Sequence, residues 1–289
     1  MRFYKYHGTG NDFVIFPTWE GGEPPLAPQE IQALCMRQTG VGADGVIFAS
    51  IPLGGGGDAR MRIFNADGSE AEMCGNGIRC LAKYLYEREG MRKGVMFIET
   101  LAGTKEIRLK VSEGEVVEVE VDMGLPDFRA PDIPPPDDPS RPGTREIELP
   151  GGEVATAFCL SLGNPHCVIF VPDLEAAPVS RWGPLLERHT LFPHRTNVEF
   201  VQVAGPHILN VRVWERGVGE TQACGTGACA SFVAALHLGR GTHAMRVRLR
   251  GGELGIRADE AGHVHLSGPA VEVFAGELSP GWRGRATSA

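Results

Sequence analysis

The sequence predicts a β-rich α+β fold made of two similar domains that face each other across a cleft, and three observations carry this expectation. Apolar and polar residues alternate at period two on both sides of a proline-rich centre, only a few stretches have helical spacing, and the chain repeats itself. The repeat is explicit: "RIFNADGSEAEMCGNG" starts at Arg62 and "RVWERGVGETQACGTG" at Arg212. A constant offset of 150 residues then pairs Arg62 with Arg212, Phe64 with Trp214, Asn65 with Glu215 and Cys74 with Cys224 without a gap. "GNDFVIF" from Gly10 echoes "GNPHCVIF" from Gly163 in the same way, with Asn11 opposite Asn164. Two matched segments in one order indicate duplication rather than a chance likeness of glycine-rich turns.

Taken in order, the N-terminal half holds short strands such as "EVVEVEVDM", where Val117, Val119 and Val121 alternate with charge. After Cys74, the residues Ile78, Leu81, Ala82 and Leu85 fall at i, i+3, i+4 and i+7 and the run ends at Gly90, so a helix begins at the cysteine. Residues 123 to 154 include "PDFRAPDIPPPDDPSRPGTRE", which can neither propagate a helix nor donate a full ladder, and read as an extended connector. Beyond it, "NVRVW" gives a strand with Val211 and Val213. Cys229, Phe232, Val233 and Leu236 repeat the helical spacing after Cys224, up to Gly239. The last apolar strand, "PAVEVFAGEL", is read as returning to complete the first sheet. The expected domains are 1–122 plus 269–280, carrying Cys74, and 123–268, carrying Cys224.

A chain of 289 residues with 42% hydrophobic residues exceeds a usual single core and can fill two. Its formal net charge of −8 argues against nucleic acid and anionic membrane surfaces as partners, which leaves a small molecule. The start "MRFYKYHGTG" has no apolar signal core, and no stretch reaches the roughly 18 uninterrupted apolar residues of a membrane span. A cytoplasmic location is expected. The seven cysteines are an odd number, which speaks against a disulfide framework. Cys35, Cys159 and Cys167 lie in apolar runs and read as core. The gaps within Cys74/Cys80 and Cys224/Cys229 exceed the usual zinc-hairpin spacing of about two to four residues, so no metal is expected.

Cys74 and Cys224 are different. Each stands at a helix N-terminus, where unpaired N–H groups and the macrodipole favour negative charge. Cysteine pKa values in such settings fall from about 8.5 to about 3.5–7.5. Gly75, Gly77, Gly225 and Gly227 bare the amides beside them, a cradle suited to a carboxylate. The alternative reading of "GTGACA" as a dinucleotide fingerprint fails, because the preceding "ERGVGETQAC" is charged and glycine-broken rather than a buried strand. One activated thiol would suggest covalent catalysis. Two equivalent ones suggest a base on one face of a substrate carbon and an acid on the other, the arrangement that inverts a stereocentre without an obligatory cofactor.

"HGTGNDFVIF", "RQTGVGADGVIF", "NADGSEAEMCGNGIRC", "SLGNPHCVIFV", "RTNVEFVQV" and "WERGVGETQACGTGACA" resemble the successive signatures of the diaminopimelate epimerases, in order over nearly the whole chain. The resemblance implies two pseudosymmetric β/α domains, each a curved, mostly antiparallel sheet around a central helix, with the active site in the cleft between them. It implies a homodimeric isomerase, independent of pyridoxal phosphate or any other cofactor. The reaction would interconvert LL- and meso-diaminopimelate in lysine and peptidoglycan precursor biosynthesis. Carried over by position, Cys74 and Cys224 are the acid/base pair. Asn11, Asn65, Asn164 and Asn197 are substrate-binding amides, Glu215 and Arg216 the charged contacts, and Gly75-Asn76 and Gly225-Thr226 the backbone cradles. His166 and Glu215 tune the cysteine pKa values.

Some members have a substrate-touching glutamine where this chain has Gly45, which can offer only its backbone; Asp44 beside it reads as a turn residue. The bland alternatives are turn-forming asparagines, an exposed Glu215-Arg216 pair and a core His166. The rival functions are a proline or hydroxyproline racemase, which has no evident need of Glu215 and Arg216, a phenazine-type isomerase, which needs no second thiol, and a redox or zinc protein.

Overall fold

The computed structural model describes residues 1–20 and 22–283. The chain divides into two compact units: unit 1 is Met1–Val121 with the described residues from Gly268 onward, and unit 2 is Asp122–Ser267.

Unit 1 opens with β1 (Arg2–Gly8) and β2 (Asn11–Pro17), antiparallel with Gly8 opposite Asn11. Thr9 and Gly10 both have positive φ, 55° and 80°, the left-handed backbone that a tight two-residue hairpin turn demands. The helix α1 (Pro28–Cys35) starts with proline at its first position, where no N–H is missed. Then follow β3 (Gly45–Ser50), β4 (Ala59–Asn65), the two-residue β5 (Glu70–Ala71), α2 (Gly75–Glu87), β6 (Val95–Thr100), β7 (Gly103–Ser112) and β8 (Glu115–Gly124).

Unit 2 contains β9 (Thr144–Leu149), β10 (Glu153–Ser161), β11 (Pro165–Phe170), α3 (Val179–Glu187), β12 (Asn197–Gly205), β13 (Ile208–Glu215) and β14 (Gly219–Thr221). It continues with α4 (Gly225–His237), β15 (Ala244–Leu249), β16 (Gly252–Ala258) and β17 (Val264–Gly268). The final strand, β18 (Val271–Glu277), pairs antiparallel with β1.

The pairings show the duplication strand by strand. In unit 2 the order is β9, β10, β11, β12, β13, β15, β16, β17, with only β11–β12 and β13–β15 parallel. In unit 1 it is β18, β1, β2, β3, β4, β6, β7, β8, with only β2–β3 and β4–β6 parallel. β18 therefore holds in unit 1 the place of β9 in unit 2. α2 touches β1, β2, β3, β4, β7 and β18, and α4 touches β10, β11, β12, β13, β15 and β16. One helix can meet that many strands of a sheet only if the sheet curves around it. Both helices are accordingly buried along most of their length, Gly75–Ala82 and Ala228–Ala235 without interruption.

Two local expectations are corrected. The connector is shorter than residues 123–154. After Pro142 the alternation resumes in "TREIEL", whose Ile147 and Leu149 are buried, and the segment pairs with β10. In β8, Val117 is exposed while Val116, Val119 and Val121 are buried. The register steps from Lys110↔Glu118 to Val111↔Val116, so Val117 is the unpaired residue of a bulge and the alternation changes phase there. Among the described residues no helix is long and apolar enough to cross a membrane.

Candidate active site

In unit 1 the tight β1–β2 turn sets Asn11 at the start of β2, and β4 ends at Asn65. Cys74 is the N-cap of α2. Its backbone is extended (φ −140°, ψ 119°) and its Sγ accepts from the Gly77 N–H at 3.5 Å, the task usually given to a serine or aspartate oxygen. The half-buried thiol lies 3.8 Å from Asn11 Oδ1, which also accepts from Asn76 Nδ2 at 3.2 Å. A Cβ on Gly77 would lie 2.8 Å from Ile63 Cδ1, so only glycine lets the helix start settle on the sheet. Asn65 is exposed, donates to Ser69 Oγ at 3.0 Å and stands opposite Gly45. At Gly45 a Cβ would meet the Phe64 carbonyl oxygen at 2.6 Å, so β3 runs too close to β4 for any side chain there without movement.

Asp44 does more than shape a turn. Its Oδ2 accepts from Asn11 Nδ2 at 2.8 Å and from the Asp12 N–H at 3.1 Å, which leaves Asn11 Oδ1 turned toward Cys74 and Asn76. Arg37 holds Asp44 at 2.7 Å and Asp12 at 2.9 Å, and Lys5 holds Asp12 at 2.6 Å. Burial alone would raise the Asp12 carboxyl, but the hydrogen bonds from Arg37 and Lys5 and the Lys5 charge bring it down to about 2. The fully buried Arg79 donates to the Gly75 carbonyl at 3.0 Å and to Thr9 Oγ1 at 2.9 Å, tying α2 to the β1–β2 turn.

Unit 2 repeats the backbone with different side chains. Cys224 is the N-cap of α4, also extended (φ −122°, ψ 116°), and accepts from the Gly227 N–H at 3.4 Å. Thr226 Oγ1 is 3.4 Å from the buried sulfur. Asn164 Nδ2 donates to that hydroxyl at 3.3 Å, and Asn164 Oδ1 lies 3.0 Å from His166 Nε2. Glu215, at the end of β13, hydrogen-bonds with Cys224 and accepts from the Thr221 hydroxyl. Asn197, opposite His166 in register, donates to the Pro165 carbonyl at 3.0 Å and accepts from the Arg216 N–H at 3.0 Å. The Arg216 side chain is exposed and reaches the His194 carbonyl at 3.3 Å. Gly225 is buried in the first turn of α4.

Electrostatics separates Cys224 from what a helix start alone predicts. Burial pushes its thiol well above the ordinary value, and the Glu215 and Glu199 carboxylates push the same way, against the Thr226 hydroxyl and Gly227 N–H. Desolvation here outweighs the two hydrogen bonds to the sulfur. Burial likewise raises Glu215, opposed by its hydrogen bonds with Thr221 and Cys224.

Residue reading overlooked Glu199. Its Oε1 lies 2.8 Å from His166 Nδ1, and both side chains are fully buried. The available signal was a carboxylate between apolar neighbours in "VEFV", a position charge does not take unless it is paired. Cys35, Cys80, Cys159, Cys167 and Cys229 are all buried, and burial lifts Cys80 to about 12 and Cys35 to about 11. Among the described residues no three His, Cys, Asp or Glu converge as a metal site.

Chemically, each unit presents a thiol held by a glycine N–H, with Asn11 against Cys74 in unit 1 and Asn164 linked to Cys224 through the Thr226 hydroxyl in unit 2, a setting for moving a proton at a carbon that bears a carboxylate. The family profile described as diaminopimelate epimerase matches residues 3–128 and 158–273. A diaminopimelate epimerase of Pelotomaculum thermopropionicum is 50% identical over 278 residues, 96% of this chain and 98% of that protein. One of Synechocystis sp. is 48% identical over 281 residues, with the same shares covered. Among solved structures, a hydroxyproline epimerase from Agrobacterium vitis gives a TM-score of 0.72 at 14% identity, over 96% of this chain and 91% of that one. A probable proline racemase from Agrobacterium radiobacter gives 0.71 at 15%, over 96% and 93%. At those identities the likeness is one of fold.

Proposed function

The chain belongs to the diaminopimelate epimerase family, and from that premise we propose that Cys74 and Cys224 carry out its interconversion of LL- and meso-diaminopimelate as a two-base pair, in lysine and peptidoglycan precursor synthesis. One sulfur, as thiolate, takes the α-proton while the other, as thiol, gives its own to the opposite face of that carbon; the reverse reaction exchanges the roles. No bond to sulfur other than S–H forms or breaks, and no cofactor enters. The observation that carries the reading is the matched pair of caps, each sulfur on the N–H of the glycine three residues on, at 3.5 and 3.4 Å.

Gly75-Asn76 and Gly225-Thr226 supply the amides for the reacting carboxylate, whose charge rises as the proton leaves. Asn11, Asn65, Asn164 and Asn197 with Glu215 and Arg216 read the distal ammonium and carboxylate, because only such a mixed set satisfies both. His166 and Glu215 adjust the thiols. The domains are taken as 1–122 with 269–280, and 123–268, in a cytoplasmic homodimer; light scattering of the purified protein tests the last point.

The deciding experiment supplies LL-diaminopimelate in deuterated water without cofactor and follows the α-carbons by NMR. Meso product with deuterium at one centre is expected, and Cys74→Ala or Cys224→Ala should each slow it by roughly 10²- to 10⁴-fold. Turnover of proline instead, or unchanged exchange in either variant, would refute the reading.

A further inference from the structure

The two helix starts are copies in backbone but not in what lies beneath them. Under Gly77 sits Ile47, whose Cδ1 would be 3.1 Å from an added Cβ; under Gly227 sits Glu199, whose Oε1 would be 2.7 Å from one. Strand register makes the two equivalent: Ile47 is opposite Ile63 and Glu199 opposite Val213, residues related by the 150-residue repeat. By the same registers His166, beside Asn197, holds the position of Phe13, beside Gly45. One half is thus apolar under its cap, and the other carries a buried carboxylate and imidazole 2.8 Å apart.

Glu199 ends a run of polar contacts that leads to the sulfur: Glu199 Oε1 to His166 Nδ1 at 2.8 Å, Nε2 to Asn164 Oδ1 at 3.0 Å, Asn164 Nδ2 to Thr226 Oγ1 at 3.3 Å, and Oγ1 to Cys224 Sγ at 3.4 Å. Its second oxygen, Oε2, is buried with no hydrogen-bond partner among the described residues. A buried carboxylate oxygen left unpaired is costly, and such groups in native proteins call for a role.

We propose that Glu199 is a positioning residue which, through His166, Asn164 and Thr226, keeps the proton on Cys224 in the ligand-free protein, so that the C-terminal thiol enters the cycle as the acid. This rests on the epimerase reading above. The groups facing the sulfur are the carboxyls of Glu215 from β13 and Glu199 from β12, the Thr226 hydroxyl and the Gly227 N–H from α4, with His166 of β11 behind Asn164. Both carboxylates oppose a thiolate. His166 faces oxygen on both sides, Glu199 Oε1 at Nδ1 and Asn164 Oδ1 at Nε2, so both contacts are hydrogen bonds when each ring nitrogen carries a proton, an arrangement the Glu199 carboxylate favours.

The test is site-resolved alkylation of Cys224 by iodoacetamide in the full chain between about pH 6 and 10, read by mass spectrometry, because only the thiolate reacts. Glu199→Gln keeps the shape and the Nδ1 contact but removes the charge. It should lower the Cys224 profile by about one pH unit, a roughly tenfold faster reaction at pH 7. Glu199→Asp, which keeps the charge, should stay with the wild type. An unmoved Glu199→Gln profile, or a Glu199→Asp profile that falls with it, overturns the assignment. If Glu199→Gln does not fold, the His166→Phe/Glu199→Ile double variant installs the pair that unit 1 already accommodates: a lowered profile supports the proposal and a wild-type profile refutes it. Alkylation needs no turnover. A shifted profile in a protein that does not epimerise diaminopimelate would therefore sink the functional reading alone, and an unshifted one in an active enzyme would sink the role of Glu199 alone.

Discussion

Cys74 and Cys224 share a backbone position and little else: the first is half-buried against Asn11, the second buried among carboxylates. Both cysteines were legible in the sequence, because glycine spacing and helical periodicity are local. Their environments were not, since Asp44 reaches Asn11 across 33 positions and Glu199 reaches His166 across the same separation. Asp12 shows how such contacts act on stability. Its folded pKa of about 2 is below the unfolded value of about 3.9, so the Lys5–Asp12–Arg37 cluster stabilises fully above about pH 4 and that contribution is lost as pH falls through 2. Asp12→Asn should therefore lower stability at pH 7 by about 1 kcal/mol, allowing for solvent screening, and flatten the acid limb. Urea midpoints at pH 7 and pH 3 measure it; equal losses at both pH values would disprove the linkage.

At the scale of elements, each helix can cap on sulfur only because its third residue, Gly77 or Gly227, approaches the sheet without a side chain. Gly77→Ala would drive a methyl toward Ile63 Cδ1, 2.8 Å away, and lift the first turn of α2 from its sulfur. Overpacking of this kind costs about 1–3 kcal/mol. A lower Tm together with a greater loss of kcat than of KM is expected. Wild-type kcat in a folded Gly77→Ala protein would show that the cap geometry does not matter. The helices themselves followed from period, but the bulge at Val117 and the strand at Thr144–Leu149 did not, because pairing partners decide phase and edges.

Across the whole molecule, the eight-strand order of unit 1 closes with β18, last in the chain, on β1, first in it. Removing residues from Val271 onward would leave β1 as a bare edge and take Glu272 from the buried Tyr6 hydroxyl, which donates to it at 2.6 Å. Hydrogen exchange should then accelerate in β1 and β2 while β10–β13 keep their protection; uniform loss or no change would contradict this modular picture. By itself the sequence determined what repeats and periods encode: the fold class, the duplicated halves, the two cysteine caps and, through motif likeness, the family. Only the tertiary structure decided which carboxylates lie beside which thiol, where Asn11 points, and that an imidazole–carboxylate pair underlies one cap and an isoleucine the other. The reason is physical: a cap depends on four neighbouring residues, whereas a proton's preference depends on burial and on charges brought near from distant strands.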